Sequence, residues 1–157
     1  MRSLLRDYSD VASTFHDAHA HAVSVFRKFR KEYAYPRLGY VAGPLPSQGS
    51  LDAGEPASPA KRGEHHRVHV ELAGVLGQQF AFPLCTMQDM FPPQALLRLK
   101  DKGFTSKHYA DFARNVLQSG YVTDVFMAPG WEESKTARAE HEAAKQFGLN
   151  VHYVEFG

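Results

Sequence analysis

The chain has 157 residues, of which 43% are apolar and 22% charged, so it is long enough for one domain with its own core and too apolar for an intrinsically disordered chain. Its 18 basic and 17 acidic residues leave a net charge of +1, which lacks the basic excess of a dedicated nucleic-acid-binding protein. Cys85 is the single cysteine, so no disulfide can form within the chain, and no apolar run approaches the roughly 20 residues of a membrane span. We therefore expect a soluble, cytoplasmic protein that binds neither a membrane nor a DNA or RNA polymer.

Residues 3–33 are predicted to form one long helix. Apolar residues recur every three or four positions from Leu4 to Tyr33, which places them in a stripe on one helical face. Pro36 is expected to end the helix. The stripe is typical of a helix packed on its own domain, and its spacing also fits a subunit interface. We assign residues 1–36 to this helical extension and residues 37–157 to an α/β domain.

Short apolar segments alternate with helical segments through the rest of the chain. Strands are predicted at 39–44, 79–83, 121–128 and 151–156, and helices at 64–76 with Gly77 as its end, at 92–99, from Thr105 or Ser106 to Gly120, and at 133–147. Residues 45–63 are rich in proline, glycine, serine and alanine and are predicted to form a long flexible loop. The alternation predicts a flavodoxin-like or Rossmann-like parallel sheet of four or five strands flanked by helices. Such sheets bind ligands beyond the carboxyl ends of their strands.

The turn from Pro129 to Ser134 lies between the predicted strand 121–128 and the helix that follows. A helix N-terminus offers backbone N–H groups and a positive dipole end, and these bind anions. The Ser134 hydroxyl and the charges of Lys135 and Arg138 can strengthen such a site, although the serine can equally act as a plain N-cap. Glu140 falls on the second turn of this helix, where it can face either a bound ligand or solvent.

Two segments together resemble the signatures of the nucleoside 2-deoxyribosyltransferase-like family. Residues 40–44, Tyr-Val-Ala-Gly-Pro, are similar to its opening strand and loop. Residues 123–140 are similar to its second signature, an aspartate-bearing strand followed by a Gly-Trp turn, a serine and a glutamate. The resemblance extends in pattern over most of 38–157. It implies cleavage of the N-glycosidic bond of a nucleoside 5′-monophosphate, by hydrolysis or transfer, with release of the free base.

The resemblance also implies roles for individual residues. Glu140 would be the nucleophile at the anomeric carbon, with Tyr40 beside it, and Asp111, or its rival Asn115, would assist the departing base. The groups expected to bind the substrate are Gly43, Pro44, Asp124, Gly130, Trp131, Ser134, Lys135 and Arg138. These roles follow the two-carboxylate logic of retaining glycoside hydrolysis. Because family members often complete their sites across subunits, we expect a homodimer or a higher homo-oligomer.

Three other interpretations bear on the function. Neither a cofactor nor a metal is expected, because the histidine pairs 16/19 and 65/69 lack a third ligand at a suitable spacing. A non-catalytic nucleotide-sensing module of the same fold is the alternative to an enzyme. A third possibility is an assembly protein that binds its partner through the stripe of residues 3–33.

Overall fold

We describe a computed structural model of the chain, in residues 1–2, 4–5, 15–43, 72, 74–90, 101–103 and 105–155. The sheet has four parallel strands, β1 (Gly39–Ala42), β2 (Leu84–Thr86), β3 (Asp124–Met127) and β4 (Asn150–Tyr153). The helices are α1 (Phe15–Arg27), α2 (Met87–Met90), α3 (Ser106–Leu117) and α4 (Lys135–Gln146), and a π-helical turn (Lys28–Glu32) extends α1. This architecture confirms the predicted α/β fold with an N-terminal helix.

The strand order is β2-β1-β3-β4, so β1 has a neighbour on each side. Tyr40 in β1 lies opposite Cys85 in β2 and Val125 in β3. From β1, the chain adds β2 on one side of the sheet and then β3 and β4 on the other side, so the order of the strands switches direction between β1 and β3. In doubly wound sheets this switch point opens a crevice at the carboxyl ends of the two strands, where ligands bind. The topology thus singles out the segments that follow Ala42 and Met127.

The strands β1, β2 and β3 are buried along their whole length because the sheet is covered on both faces. On one face, Tyr40, Cys85 and Val125 belong to the core cluster that includes residues of α1, α3 and α4. On the other face, Val41 and Phe126 belong to a second cluster, which includes Leu76 of the helical segment 74–79. Successive strand residues alternate between the two clusters, as the pleat requires.

Gly39, at the start of β1, is required by this packing. A Cβ at this position would lie 2.1 Å from Leu84 Cδ2 and 3.0 Å from Phe126 Cε2. The short contact between β1 and β2 on this face therefore accommodates glycine alone without a shift of neighbouring side chains.

The segment 79–83 is not a strand, so this prediction is wrong. Gly39 N donates to Pro83 O at 2.9 Å, and the ladder with β1 begins at Leu84. Phe80 and Phe82 instead place their rings near Phe126, at centroid distances of 5.0 and 6.3 Å. The alternation of apolar residues in 79–83 thus reflects packing against the sheet rather than pairing within it.

Several element ends also differ from the prediction. The helical segment continues through Gly77 to residue 79, and nothing lies within 4 Å of a Cβ built on Gly77. The third strand begins at Asp124 because the backbone N–H groups of Thr123 and Asp124 both donate to Leu38 O, and the last strand ends at Tyr153. The N-terminal helix is observed from Phe15 to Glu32, which ends before Pro36 as predicted. Residues 3 and 6–14 of the predicted N-terminal helix, the predicted loop 45–63, the helix 92–99 and the first part of the helix 64–76 lie outside the described residues.

None of the helices in the described part of the chain combines the length and the apolar character that crossing a membrane requires.

Candidate functional site

The carboxyl ends of β1 and β3 are held side by side by backbone hydrogen bonds. Ala128 N donates to Ala42 O at 2.7 Å, which continues the ladder one residue beyond β3. Gly43, which follows β1, is buried. Gly130 has a φ of 85°, a left-handed conformation that favours glycine, and it turns the chain into a 3-10 turn at Trp131–Glu133. Gly43 and Gly130 therefore lie at the switch point that the topology defines.

Helix α4 begins at this edge of the sheet, with Ser134 as its N-cap. The Ser134 side chain is 6% exposed, and its Oγ accepts a hydrogen bond from Ala137 N at 3.2 Å. This is the N-cap role that the sequence left open beside phosphate binding. Lys135 and Arg138 are exposed on the first turn of the helix, and Thr136 between them is buried.

Glu140 is the buried acid of this site. Its side chain lies inside the protein, 3% exposed, and its Oε2 has no hydrogen-bond partner among the described residues. Burial raises the pKa of Glu140 to about 8, and a hydrogen bond with Tyr40 acts in the opposite direction. Tyr40 is itself fully buried on β1. The structure thus brings Tyr40 and Glu140 together under the carboxyl end of β1.

Trp131 contacts His141 of α4 and lies near Tyr153 at the end of β4. Its half-buried ring packs on the His141 ring with centroids 4.3 Å apart, and His141 Nε2 is 2.7 Å from Tyr153 Oη. Tyr153 is 59% exposed. Neither His141 nor Tyr153 is among the predicted site residues, because nothing in the spacing indicates that the end of β4 meets α4 at this point.

Asp124 lies at the amino end of β3, the edge of the sheet opposite to the Gly130 turn. It forms an ion pair with Arg37 and accepts hydrogen bonds from Thr123 Oγ1 at 2.6 Å and from His152 Nε2 at 2.8 Å. Burial alone would raise the pKa of Asp124, but these hydrogen bonds outweigh it and lower the pKa to about 2. The structure therefore places Asp124 in a structural network. Sequence reasoning missed its partners Arg37 and His152.

The remaining predicted residues are placed as follows. Asp111 is exposed on α3, which packs against α1 and α4, and no hydrogen bond or ion pair between Asp111 and Glu140 is present in the described part of the chain. Pro44 lies outside the described residues. Within the described ranges there is also no group of three or more histidine, cysteine, aspartate or glutamate side chains arranged to hold a metal ion. Cys85 is buried, as expected of a small apolar residue, and burial raises the pKa of its thiol.

Comparison with known proteins adds one finding. A family model described as a domain of unknown function, DUF4406, matches residues 92–153. This stretch contains β3, the Gly130 turn, Ser134 and Glu140, so the similarity includes most of the candidate site and excludes Tyr40. No curated protein and no solved structure matches the chain.

Proposed function

We propose that this protein hydrolyses the N-glycosidic bond of a nucleoside 5′-monophosphate, or transfers its glycosyl group, and releases the free base with Glu140 as nucleophile. In this proposal the protein is a member of the nucleoside 2-deoxyribosyltransferase-like family, acts in the cytoplasm and forms a homo-oligomer. The proposal needs no cofactor.

The observation that carries this proposal is the environment of Glu140. A carboxyl group that is buried, strongly shifted in pKa and left with an unpartnered oxygen is typical of functional sites, because a purely structural acid is normally compensated. It lies on the second turn of α4, beneath the switch point of the sheet.

The substrate would be held by its phosphate at the N-terminus of α4. Apart from Ala137 N, which donates to Ser134 Oγ, the N–H groups of a first helical turn have no acceptor within the helix, and the helix dipole favours an anion there. Lys135 and Arg138 are exposed on the same turn and supply positive charge. Because Glu140 lies one turn further along the helix, a phosphate at this end directs the sugar towards the carboxyl group, which contributes to the rate by positioning.

The reaction would proceed in two steps. The Glu140 carboxylate attacks the anomeric carbon, an ester bond to Glu140 forms, and the bond from that carbon to the base nitrogen breaks with its electron pair going to the base. The base takes a proton from solvent in this scheme, since Asp111 is exposed on α3. Water, or the hydroxyl of an acceptor sugar, then attacks the same carbon, the ester breaks, and the carboxylate is regenerated as a proton is lost to solvent.

Base release from a panel of ribonucleoside and deoxyribonucleoside 5′-monophosphates tests the proposal. We expect release from one or a few of them, with a loss of about a thousandfold or more in Glu140→Gln because no nucleophile remains. Glu142→Gln is the matched control, since Glu142 lies on the same helix with a side chain that is 76% exposed. Release that persists in Glu140→Gln would remove Glu140 from this role.

A non-catalytic nucleotide-sensing module is the second candidate, and one observation favours it. With a pKa near 8, Glu140 is mostly protonated at neutral pH, and a neutral carboxyl can donate a hydrogen bond to a ligand. In that case nucleotides would raise the melting temperature of the protein without any base being released, and Glu140→Gln would retain binding.

A further inference from the structure

We propose a second ligand site, separate from Glu140, that binds a planar aromatic molecule bearing one anionic group. The site is a cavity of about 700 Å³ next to the segment that leads into β2. Its volume lies within the range of pockets that hold small molecules. None of the described residues placed at the candidate active site is among those that line it.

Two pairs of aromatic side chains line the cavity. Phe29 and Tyr35 stack with ring centroids 6.0 Å apart and an interplanar angle of 22°. Phe80 and Phe82 form the second pair, with centroids 5.6 Å apart and planes tilted by 56°. Tyr35 is 37% exposed, so part of this aromatic surface is open to solvent. Such rings favour a flat apolar ligand, because offset-stacked and edge-to-face contacts add to the gain from burial.

Arg2 supplies the cation of the site. Its Nε lies 3.0 Å from both carboxylate oxygens of Asp89, which is fully buried and also accepts a hydrogen bond from Thr86 N at 2.8 Å. The guanidinium is thereby fixed through one of its five N–H groups, while the Arg2 side chain stays 31% exposed. Because a guanidinium binds planar anions through two parallel N–H groups, an anchored Arg2 favours a carboxylate, sulfonate or phosphate on the ligand.

Anilinonaphthalene sulfonate is a suitable probe, because it combines flat aromatic rings with one anionic group. We expect its fluorescence to rise saturably with the folded full-length chain. Ala81→Trp should abolish this signal, since Ala81 lines the cavity but is itself exposed, so that a large ring can enter the cavity without disturbing the core. A signal that does not saturate, or one that Ala81→Trp leaves unchanged, would overturn the proposal.

Two tyrosines provide a matched pair of variants. Tyr35→Leu removes a ring from the cavity and should lower the affinity for the probe about fivefold, which is the size of one aromatic contact. Tyr33→Leu is the control, because Tyr33 is also exposed and also contacts Phe29, at a centroid distance of 4.9 Å, but does not line the cavity. If both variants weakened probe binding equally, the effect would come from a general loss of packing around Phe29. That result would contradict the proposal.

The role of Arg2 is tested with a second probe, the neutral phenylnaphthylamine, which lacks the sulfonate. Arg2→Gln should lower the affinity for the sulfonate probe about threefold, as expected for a partly exposed ion pair, and leave the affinity for the neutral probe unchanged. Equal effects on both probes would exclude an anion-binding role for Arg2. Far-UV circular dichroism and melting curves accompany each variant. Glu140→Gln should bind both probes as the wild type does. The proposal of this site is therefore tested independently of the proposed reaction.

Discussion

Two buried carboxyl groups at opposite edges of the sheet differ in almost everything except burial. Asp124, at the amino end of β3, is fully buried and receives hydrogen bonds from Arg37, Thr123 and His152, and its pKa is about 2. Glu140, below the opposite edge, is 3% exposed, has an oxygen without a partner among the described residues, and has a pKa of about 8.

The comparison shows that the donors around a buried acid, and not its burial, decide its charge state. Desolvation raises the pKa of both groups, and only at Asp124 do hydrogen bonds outweigh it. A compensated acid stabilises the fold. An uncompensated acid lowers the stability of the fold once it is ionised. Such an acid is therefore typical of functional sites, where its charge or its proton takes part in binding or catalysis.

The largest expected effect on stability comes from Glu140→Gln at alkaline pH. The folded pKa of Glu140 lies above its unfolded value of 4.5, so its contribution is fully present below pH 4.5 and is lost as the pH rises towards 8, by up to about 1.4 kcal/mol per pH unit. The glutamine variant has no charge to lose. At pH 8 we expect its free energy of unfolding to exceed that of the wild type by about 4 kcal/mol, with no excess below pH 4.

Urea denaturation at several pH values measures this difference, and Glu142→Gln, on the exposed face of the same helix, is the control. A variant whose advantage did not change with pH would show that the pKa of Glu140 is the same in the folded and unfolded states. The contrast with Asp124 would then disappear.

Asp124→Asn should have the opposite sign. The folded pKa of Asp124 lies below its unfolded value of 3.8, so the stability it contributes is present above pH 4 and is lost as the pH falls towards 2. At pH 7 we expect the variant to lose about 2 kcal/mol of unfolding free energy, and the deficit to shrink in acid. Asp111→Asn, at an exposed position on α3, should leave stability within about 0.5 kcal/mol of the wild type.

The same variant tests the substrate-binding role that the motif resemblance gives Asp124. Because Asp124 lies at the amino edge, the folded fraction of Asp124→Asn should keep the nucleotide affinity of the wild type. A variant that folds but no longer binds nucleotides would show that Asp124 does contribute to substrate binding.

Local signals in the sequence predicted much of the fold. Ser134 is the N-cap of α4, Thr105 precedes α3 with its N–H donating to His108 Nδ1 at 3.1 Å, and the strand-helix alternation gives a parallel sheet. The error at 79–83 arose because strand pairing is set across the ladder, by Gly39 against Leu84, and apolar alternation alone does not show a partner.

The candidate site was predictable only through motif resemblance. That resemblance placed Tyr40 and Glu140 in one site, and the structure brings them together. The pairing of Asp124 with Arg37 joins residues 87 positions apart, and no local pattern indicates it. Asp124 was assigned to the substrate through the motif resemblance alone, and the sequence does not show that its carboxylate pairs with a distant side chain.

A smaller effect is expected in the pH dependence of the proposed reaction. If Glu140 attacks as a carboxylate, kcat/KM should rise about tenfold from pH 7 to a plateau above pH 8, following the pKa of Glu140 in the free protein. The measurement is base release at low substrate concentration across this range. A rate that instead falls above pH 8 would assign Glu140 the role of an acid, because its protonated form would then be the active one.

The smallest predicted effect isolates Tyr40, which touches the acid directly. Its hydrogen bond lowers the pKa of Glu140, so Tyr40→Phe should move the rise in kcat/KM to higher pH. At pH 7 we expect a rate about threefold below the wild type, and at pH 9 a rate close to it, because the carboxylate then forms in both proteins. Tyr35→Phe, at an exposed position, is the control.

A loss that was equal at pH 7 and pH 9 would show that Tyr40 acts on the substrate and not on the charge of Glu140. A shift of the profile alone would make this hydrogen bond the one compensation that the described residues give Glu140, where Asp124 has three donors. The contrast between the two acids would then be one of degree, set by how many donors each environment supplies.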